Sequence, residues 1–268
     1  MRFREDWFRA CSVSSEAPFL PVFPDTEQTL RKEKIMKKFW TYIKNEKFSL
    51  GCTERAVYLY DAAGKELAQF KDISHCGKAA FAPDGDIFAV KSTGAYFAVY
   101  SAEKAALIKK VKFSDVDGSQ DDGFCFSADG KYFYNVERQK SSVHSAISVY
   151  DTNNFERIAI FCDKDDKTEP SYIENGNDGR MYVLGFLRGD NRVMSDGFAA
   201  RFGENGLEDI RKISREDYNF HHNFKRLELY GFTEMSKKWS KFSYDNVDMT
   251  GMENTRHPLS ELWEKYKK

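Results

Sequence analysis

Apolar and polar residues alternate in short runs along most of this chain, and Asp-Gly pairs separate the runs. Ala79–Ala82, Ile87–Lys91, Tyr96–Tyr100 and Ala106–Phe113 read as four consecutive strands, A to D, with Pro83-Asp84-Gly85 turning A into B. An Asp-Gly pair between alternating runs is a strong hairpin signal. The phrase recurs about 45 residues on, a spacing typical of propeller blades. Phe81-Ala82-Pro83-Asp84-Gly85 becomes Phe126-Ser127-Ala128-Asp129-Gly130, and Asn177-Asp178-Gly179 marks a weaker third copy. The second unit reads Phe124–Ser127, Tyr132–Glu137, Ala146–Tyr150 and Arg157–Phe161. The third reads Pro170–Glu174, Met181–Leu187, Gly197–Phe202 and Glu208–Ile213.

Upstream, Ala56–Asp61 matches strand C and Phe48–Thr53 falls where B belongs. Phe39–Ile43 fits strand A, but it also fits a helix over Thr29–Lys44 that carries a basic face. A short apolar run does not decide between the two. Downstream, Phe220–Phe224, Leu227–Phe232 and Trp239–Tyr244 offer strands for a fifth unit that lacks a D strand, and Trp7–Val13 could supply it. Pro258–Trp263 reads as a short terminal helix. The expected fold is all-β: a propeller-like array of four-stranded antiparallel blades, four clear and a fifth expected, with short N- and C-terminal helical segments. The expected division is an N-terminal extension over 1–38, a repeat domain over 39–250 and a C-terminal helical tail over 251–268.

The repeat resembles bacterial WD40-like propeller repeats. The resemblance rests on the Asp-Gly phrases above and on the strand endings Tyr60-Asp61 and Tyr150-Asp151, and it covers roughly 47–213. It implies a propeller that binds other proteins. The Gly-His and Trp-Asp dipeptides of that family are missing here.

Composition narrows the class further. Aromatic residues make up 15% of the 268 residues, which suits pleated, half-buried surfaces. Charged residues make up 31%, yet the net charge is −1, so no overall field draws the chain to nucleic acid. The five cysteines are widely spaced, which points to buried thiols in a reducing compartment and not to zinc or disulfides. The N-terminus has no apolar run of the kind a secretory signal needs, and no stretch approaches the ~20 apolar residues of a membrane span. A monomeric cytoplasmic protein is expected, with no membrane or nucleic-acid partner.

Recognisable catalytic chemistry does not emerge. No nucleophile elbow, phosphate loop, dinucleotide fingerprint or zincin motif occurs. His221-His222 would point to opposite faces of a strand and so could not easily share a metal. His75-Cys76 has no evident partner for nucleophilic catalysis, and Asp115, Asp117 and Gly118 resemble only part of a calcium loop. No catalytic residue, metal or cofactor is therefore expected.

Charge in the loops is more informative. In a propeller, D–A and B–C loops emerge on one face. Two successive D–A loops are acidic: Asp115, Asp117, Asp121 and Asp122 in the first, then Asp163, Asp165, Asp166 and Glu169 in the second. Arg138 and Arg188, in B–C loops, would share that face, as would Lys140 and Arg192. These residues point to a non-catalytic protein-interaction module with a basic partner, for instance a toxin neutralised by an immunity protein. Loops are also charged simply because they are solvated. The alternative is a hydrolase or small-molecule binder using the central pocket, for which Glu174 and Asn175 are the best inward-pointing candidates. A third reading is an assembly component that docks through its N-terminal extension.

Overall fold

In the computed structural model, residues 37–116, 120, 122–140, 144–162, 167–189, 194–243 and 251–267 are described. The expected N-terminal extension lies almost wholly outside them, as do Trp7–Val13 and the first half of the Thr29–Lys44 helix.

Sixteen strands form four antiparallel four-stranded sheets, each in simple sequence order. The first comprises β1 (Thr41–Lys44), β2 (Phe48–Cys52), β3 (Val57–Asp61) and β4 (Glu66–Phe70). The second is β5 (Cys76–Phe81), β6 (Ile87–Ser92), β7 (Tyr96–Ser101) and β8 (Ala106–Lys112). The third is β9 (Phe124–Phe126), β10 (Tyr132–Arg138), β11 (Ser145–Asp151) and β12 (Glu156–Phe161). The fourth is β13 (Thr168–Asn175), β14 (Met181–Arg188), β15 (Met194–Gly203) and β16 (Gly206–Ile213). The four expected blades are present, and the segment from Thr41 to Lys44 is strand, not helix.

The Asp-Gly phrase works the same way each time. Gly85, Gly130 and Gly179 have φ of +76°, +72° and +78°, a left-handed conformation that glycine adopts without penalty. The preceding aspartate closes the turn through its side chain. Asp84, Asp129 and Asp178 accept the backbone N–H two residues on at 3.0, 3.1 and 3.1 Å. The aromatic C-strand ending has its own signature. Register slips between Leu59 and Tyr60, Val99 and Tyr100, and Val149 and Tyr150, so strand D is bulged at one point of the repeat.

The core lies between the sheets. Leu50, Val57 and Leu59 pack with Phe88, Val90 and Tyr100. Ala89, Phe97 and Val99 pack with Phe124, Phe133 and Tyr150, and Val136 and Ile147 pack with Ile173, Val183 and Phe198. The second and third sheets therefore bury both faces, one against each neighbour, as propeller blades do.

The fifth unit is where the expectation fails. Its three proposed strands fall in α1 (Arg215–Leu229), at its C-cap, and in α2 (Glu234–Ser243). Ser214 caps α1, accepting the Asp217 N–H at 3.1 Å, and Glu216 and Asp217 suit the positive end of the helix dipole. The buried positions Tyr218, His222 and Lys225 fall at i, i+4 and i+7, a helical and not an alternating spacing. The short terminal helix is present as α3 (Leu259–Lys265). Helices α1 and α3 cover the face of the fourth sheet that a fifth blade would bury: Tyr172, Tyr182, Leu184 and Ala199 meet Tyr218, Leu259, Leu262 and Trp263. The end of α1 then reaches the first sheet, where Tyr230 accepts the Tyr42 N–H at 3.1 Å and Thr233 donates to the Trp40 carbonyl at 2.6 Å. A helical segment, not a fifth blade, joins the last sheet to the first. The expected C-terminal tail is thus packed into the sheet array.

Candidate functional site

Successive blades are stapled together on one face, where the end of each D–A loop meets the B strand or B–C loop of the next blade. Thr93 N–H donates to the His75 carbonyl at 3.2 Å, and Ser92 donates to the Ser74 carbonyl at 2.7 Å. One blade on, Lys140 N–H donates to the Asp115 carbonyl at 2.7 Å. Buried Gln120 brackets the Arg138 backbone, donating to its carbonyl at 3.2 Å and accepting its N–H at 2.9 Å. In the next blade, Arg188 N–H donates to the Lys167 carbonyl at 2.8 Å. The expected pairing of D–A with B–C loops is therefore what the backbone builds.

Three of these D–A loops hold a non-glycine residue in the left-handed region: His75 at +53°, Asp115 at +57° and Cys162 at +64°. Such conformations cost of order 1–3 kcal/mol and persist only where surrounding bonds impose them. His75 and Asp115 are exposed, so the strained positions present polar side chains to solvent.

The candidate residues separate on inspection. Asp115 and Arg138 are exposed. Asp122 is half-buried, and its carboxylate lies 3.5 Å from the Ser145 hydroxyl. Glu169 and Arg188 are not displayed to a partner at all: their side chains are 4% and 7% exposed and form an ion pair with each other. Burial pushes the Glu169 carboxyl up; Arg188 pulls it back, Asp122 raises it, Arg138 lowers it, and the net direction is upward. Asp122, Arg138, Glu169 and Arg188 thus share one electrostatic neighbourhood. Asp117, Asp121, Asp163, Asp165 and Asp166 lie outside the described residues, as does Arg192.

The central-pocket candidates are engaged elsewhere. Glu174 pairs with Lys225 of α1 and accepts the backbone N–H of Leu259. Asn175 donates to the Phe126 carbonyl at 2.7 Å, between the third and fourth sheets. Two buried lysines escaped the sequence reading because lysine in a strand reads as solvent-facing. Lys78 on β5 is 2% exposed, with its ammonium 3.4 Å from the Tyr172 hydroxyl and 5.8 Å from the Tyr230 ring. Lys91 on β6 is 1% exposed and donates to the carbonyls of Asp122 at 3.0 Å and Val136 at 2.6 Å. The flanking Gly77 and Ala79 were the one available hint for Lys78, since small neighbours suit a crowded interior.

His221 and His222 sit on α1 and diverge by helical geometry. His222 stacks edge-on against Tyr172 at 5.1 Å, and His221 lies near His257 at 6.1 Å. Among the described residues no group of three or more His, Cys, Asp or Glu is placed to hold a metal. Cys52, Cys76 and Cys125 are free thiols, and burial pushes Cys76 up to about 12. No helix among the described residues is long and apolar enough to cross a membrane.

No protein-family model matches the chain, and no curated protein matches it. Among solved structures, hydrazine synthase of Kuenenia stuttgartiensis is similar at 14% identity with a TM-score of 0.51. The match covers 62% of this chain and 51% of that one, so this chain corresponds to about half of its neighbour. At that identity the likeness concerns fold alone. Together with the four stapled sheets, it makes this chain a β-propeller-type protein.

Proposed function

We propose that this protein is a non-catalytic binding module that engages a basic protein partner through the D–A and B–C loops of its second to fourth blades. The observation that carries the reading is the backbone stapling of these loops, which holds His75 and Asp115 in left-handed conformations with their side chains in solvent. Loop ends held in this way lose little entropy on association. Acidic residues are dense along the two D–A loop sequences that feed this face, so a cationic surface is the complementary partner. Neutralisation of a cationic toxin, as an immunity protein performs it, is one concrete form of this activity. The free thiols of Cys52, Cys76 and Cys125 among the described residues suit a reducing, cytoplasmic setting. The WD40-like resemblance fits the same role.

The test is a tagged pull-down from native lysate across a salt series, read by mass spectrometry. A basic protein retained at low salt and released at high salt supports the reading. Converting Asp115, Asp117, Asp163, Asp165 and Asp166 to Asn should abolish that retention with the melting temperature unchanged. Undiminished capture by the neutralised protein would remove the basis for an acidic contact face.

A further inference from the structure

The second and third blades are near-copies, which makes each a control for the other. Phe88 pairs with Tyr100 across β6 and β7, and Phe133 pairs with Tyr150 across β10 and β11. Two residues along, the second blade has Val90 opposite Ala98, whereas the third has Asn135 opposite Ser148. Two further along, Ser92 becomes Glu137. At the Asn135 and Ser148 positions the blade face is apolar in one copy and polar in the next, so the fold itself does not require polarity there.

Asn135, Glu137 and Ser148 are each 0% exposed. Their hydrogen bonding is half complete. One oxygen of Glu137 accepts from the Asn135 amide at 2.9 Å and from the Tyr150 hydroxyl at 2.7 Å. The Ser148 hydroxyl lies beside that phenol. The other oxygen of Glu137 lies 3.8 Å from the Arg157 guanidinium. Asn135 Oδ1, Glu137 Oε2 and Ser148 Oγ have no hydrogen-bond partner among the described residues. Three buried, unsatisfied polar atoms on one sheet face are costly unless something small meets them.

We propose that this seam between the second and third blades is a binding site for one internal water molecule, held by Asn135 Oδ1, Glu137 Oε2 and Ser148 Oγ. The hydrogen count balances. Asn135 Oδ1 and Glu137 Oε2 can only accept, so the water donates both protons to them. Ser148 donates its hydroxyl proton to the water oxygen. About three bonds is the usual complement of a buried water. A divalent cation is disfavoured, because it needs roughly six oxygen ligands and Arg157 places a positive charge beside the same carboxylate. Lys91 enters the same seam, where it donates to the carbonyls of Asp122 and Val136.

A crystal structure of the unmodified protein tests this directly. The expected result is an ordered water within about 2.6–3.2 Å of at least two of the three atoms. In the Asn135→Val, Ser148→Ala double variant, which carries the second blade's residues, that density should vanish while the Tyr150–Glu137 bond persists. The proposal is overturned if Arg157 closes directly on Glu137 Oε2 and the seam holds no solvent density. It is equally overturned by a peak with the short, multiple coordination of a metal ion.

Discussion

Glu174 on the first strand of the fourth blade is ion-paired with Lys225 of α1, and the same carboxylate accepts the N–H of Leu259 where α3 begins. One side chain therefore anchors both helices that stand in for a fifth blade. Burial pushes Glu174 up and opposes its ionisation; Lys225 and the Leu259 amide act against that. Lys225 is 7% exposed and is also bonded to Glu228 at 2.9 Å. Glu174→Gln should keep the amide bond and strip Lys225 of its buried counter-charge. The expected loss is about 2 kcal/mol, below the usual range for a broken buried pair because Glu228 remains. Chemical denaturation of Glu174→Gln, Lys225→Met and the double variant gives the coupling; additive losses would show that the two charges do not interact.

Gly231 is the point where the helical segment meets the first blade. Its φ is +68°, and a Cβ there would lie 1.7 Å from the Tyr42 carbonyl oxygen. Gly231→Ala should cost about 2–4 kcal/mol, through backbone strain and loss of the Tyr42–Tyr230 bond. Gly64 has φ of +78° with nothing within 4 Å of the added carbon, so Gly64→Ala bears the strain alone and should cost less. Thermal melts of the two variants make the comparison.

Trp263 fastens α3 to the fourth blade. It is 3% exposed, donates to the Asp209 carbonyl at 3.0 Å and stacks beneath the Arg211 guanidinium at 3.1 Å from the ring centre. Trp263→Ala should cost about 3–5 kcal/mol. Because α3 packs mainly on one sheet, the loss should appear first as faster amide exchange over 259–265, before the blades open.

Acid should loosen the same junction. Burial, then Lys225, holds the His221 imidazole down from 6.5 to about 4. The unfolded chain therefore binds this proton more readily than the folded one, and stability falls as pH drops from 6.5 toward 4. Asp217 adds to the effect at lower pH: burial raises it, but Lys265 and Tyr266 bonds outweigh burial and leave it below its ordinary value. In urea melts between pH 7 and 4, His221→Gln should flatten the decline over the upper part of that range; an unchanged slope would exclude His221 as its source.

The blades were legible because their signals are local. An Asp-Gly pair needs only its own turn geometry, and alternation needs only two faces to bury, so β5 to β16 fall within a few residues of where the pattern puts them. The fifth unit was misread because Phe220–Phe224 and Leu227–Phe232 are short segments with only a few apolar positions, which fit either period until their neighbours are known. Ser214, with Glu216 and Asp217 behind it, was the helix signal available.

The sequence by itself determined the blade: its period, its turns and the side on which its charged loops emerge. Tertiary structure alone decided how those blades are joined and which charges remain in solvent. Asp115 stays exposed while Glu169 turns inward to Arg188, a partner some twenty residues away on the neighbouring strand of the fourth blade. Lys78 is buried and Glu174 largely so for the same reason. A charge can leave water only where distant segments bring it a partner, and no local pattern encodes that meeting.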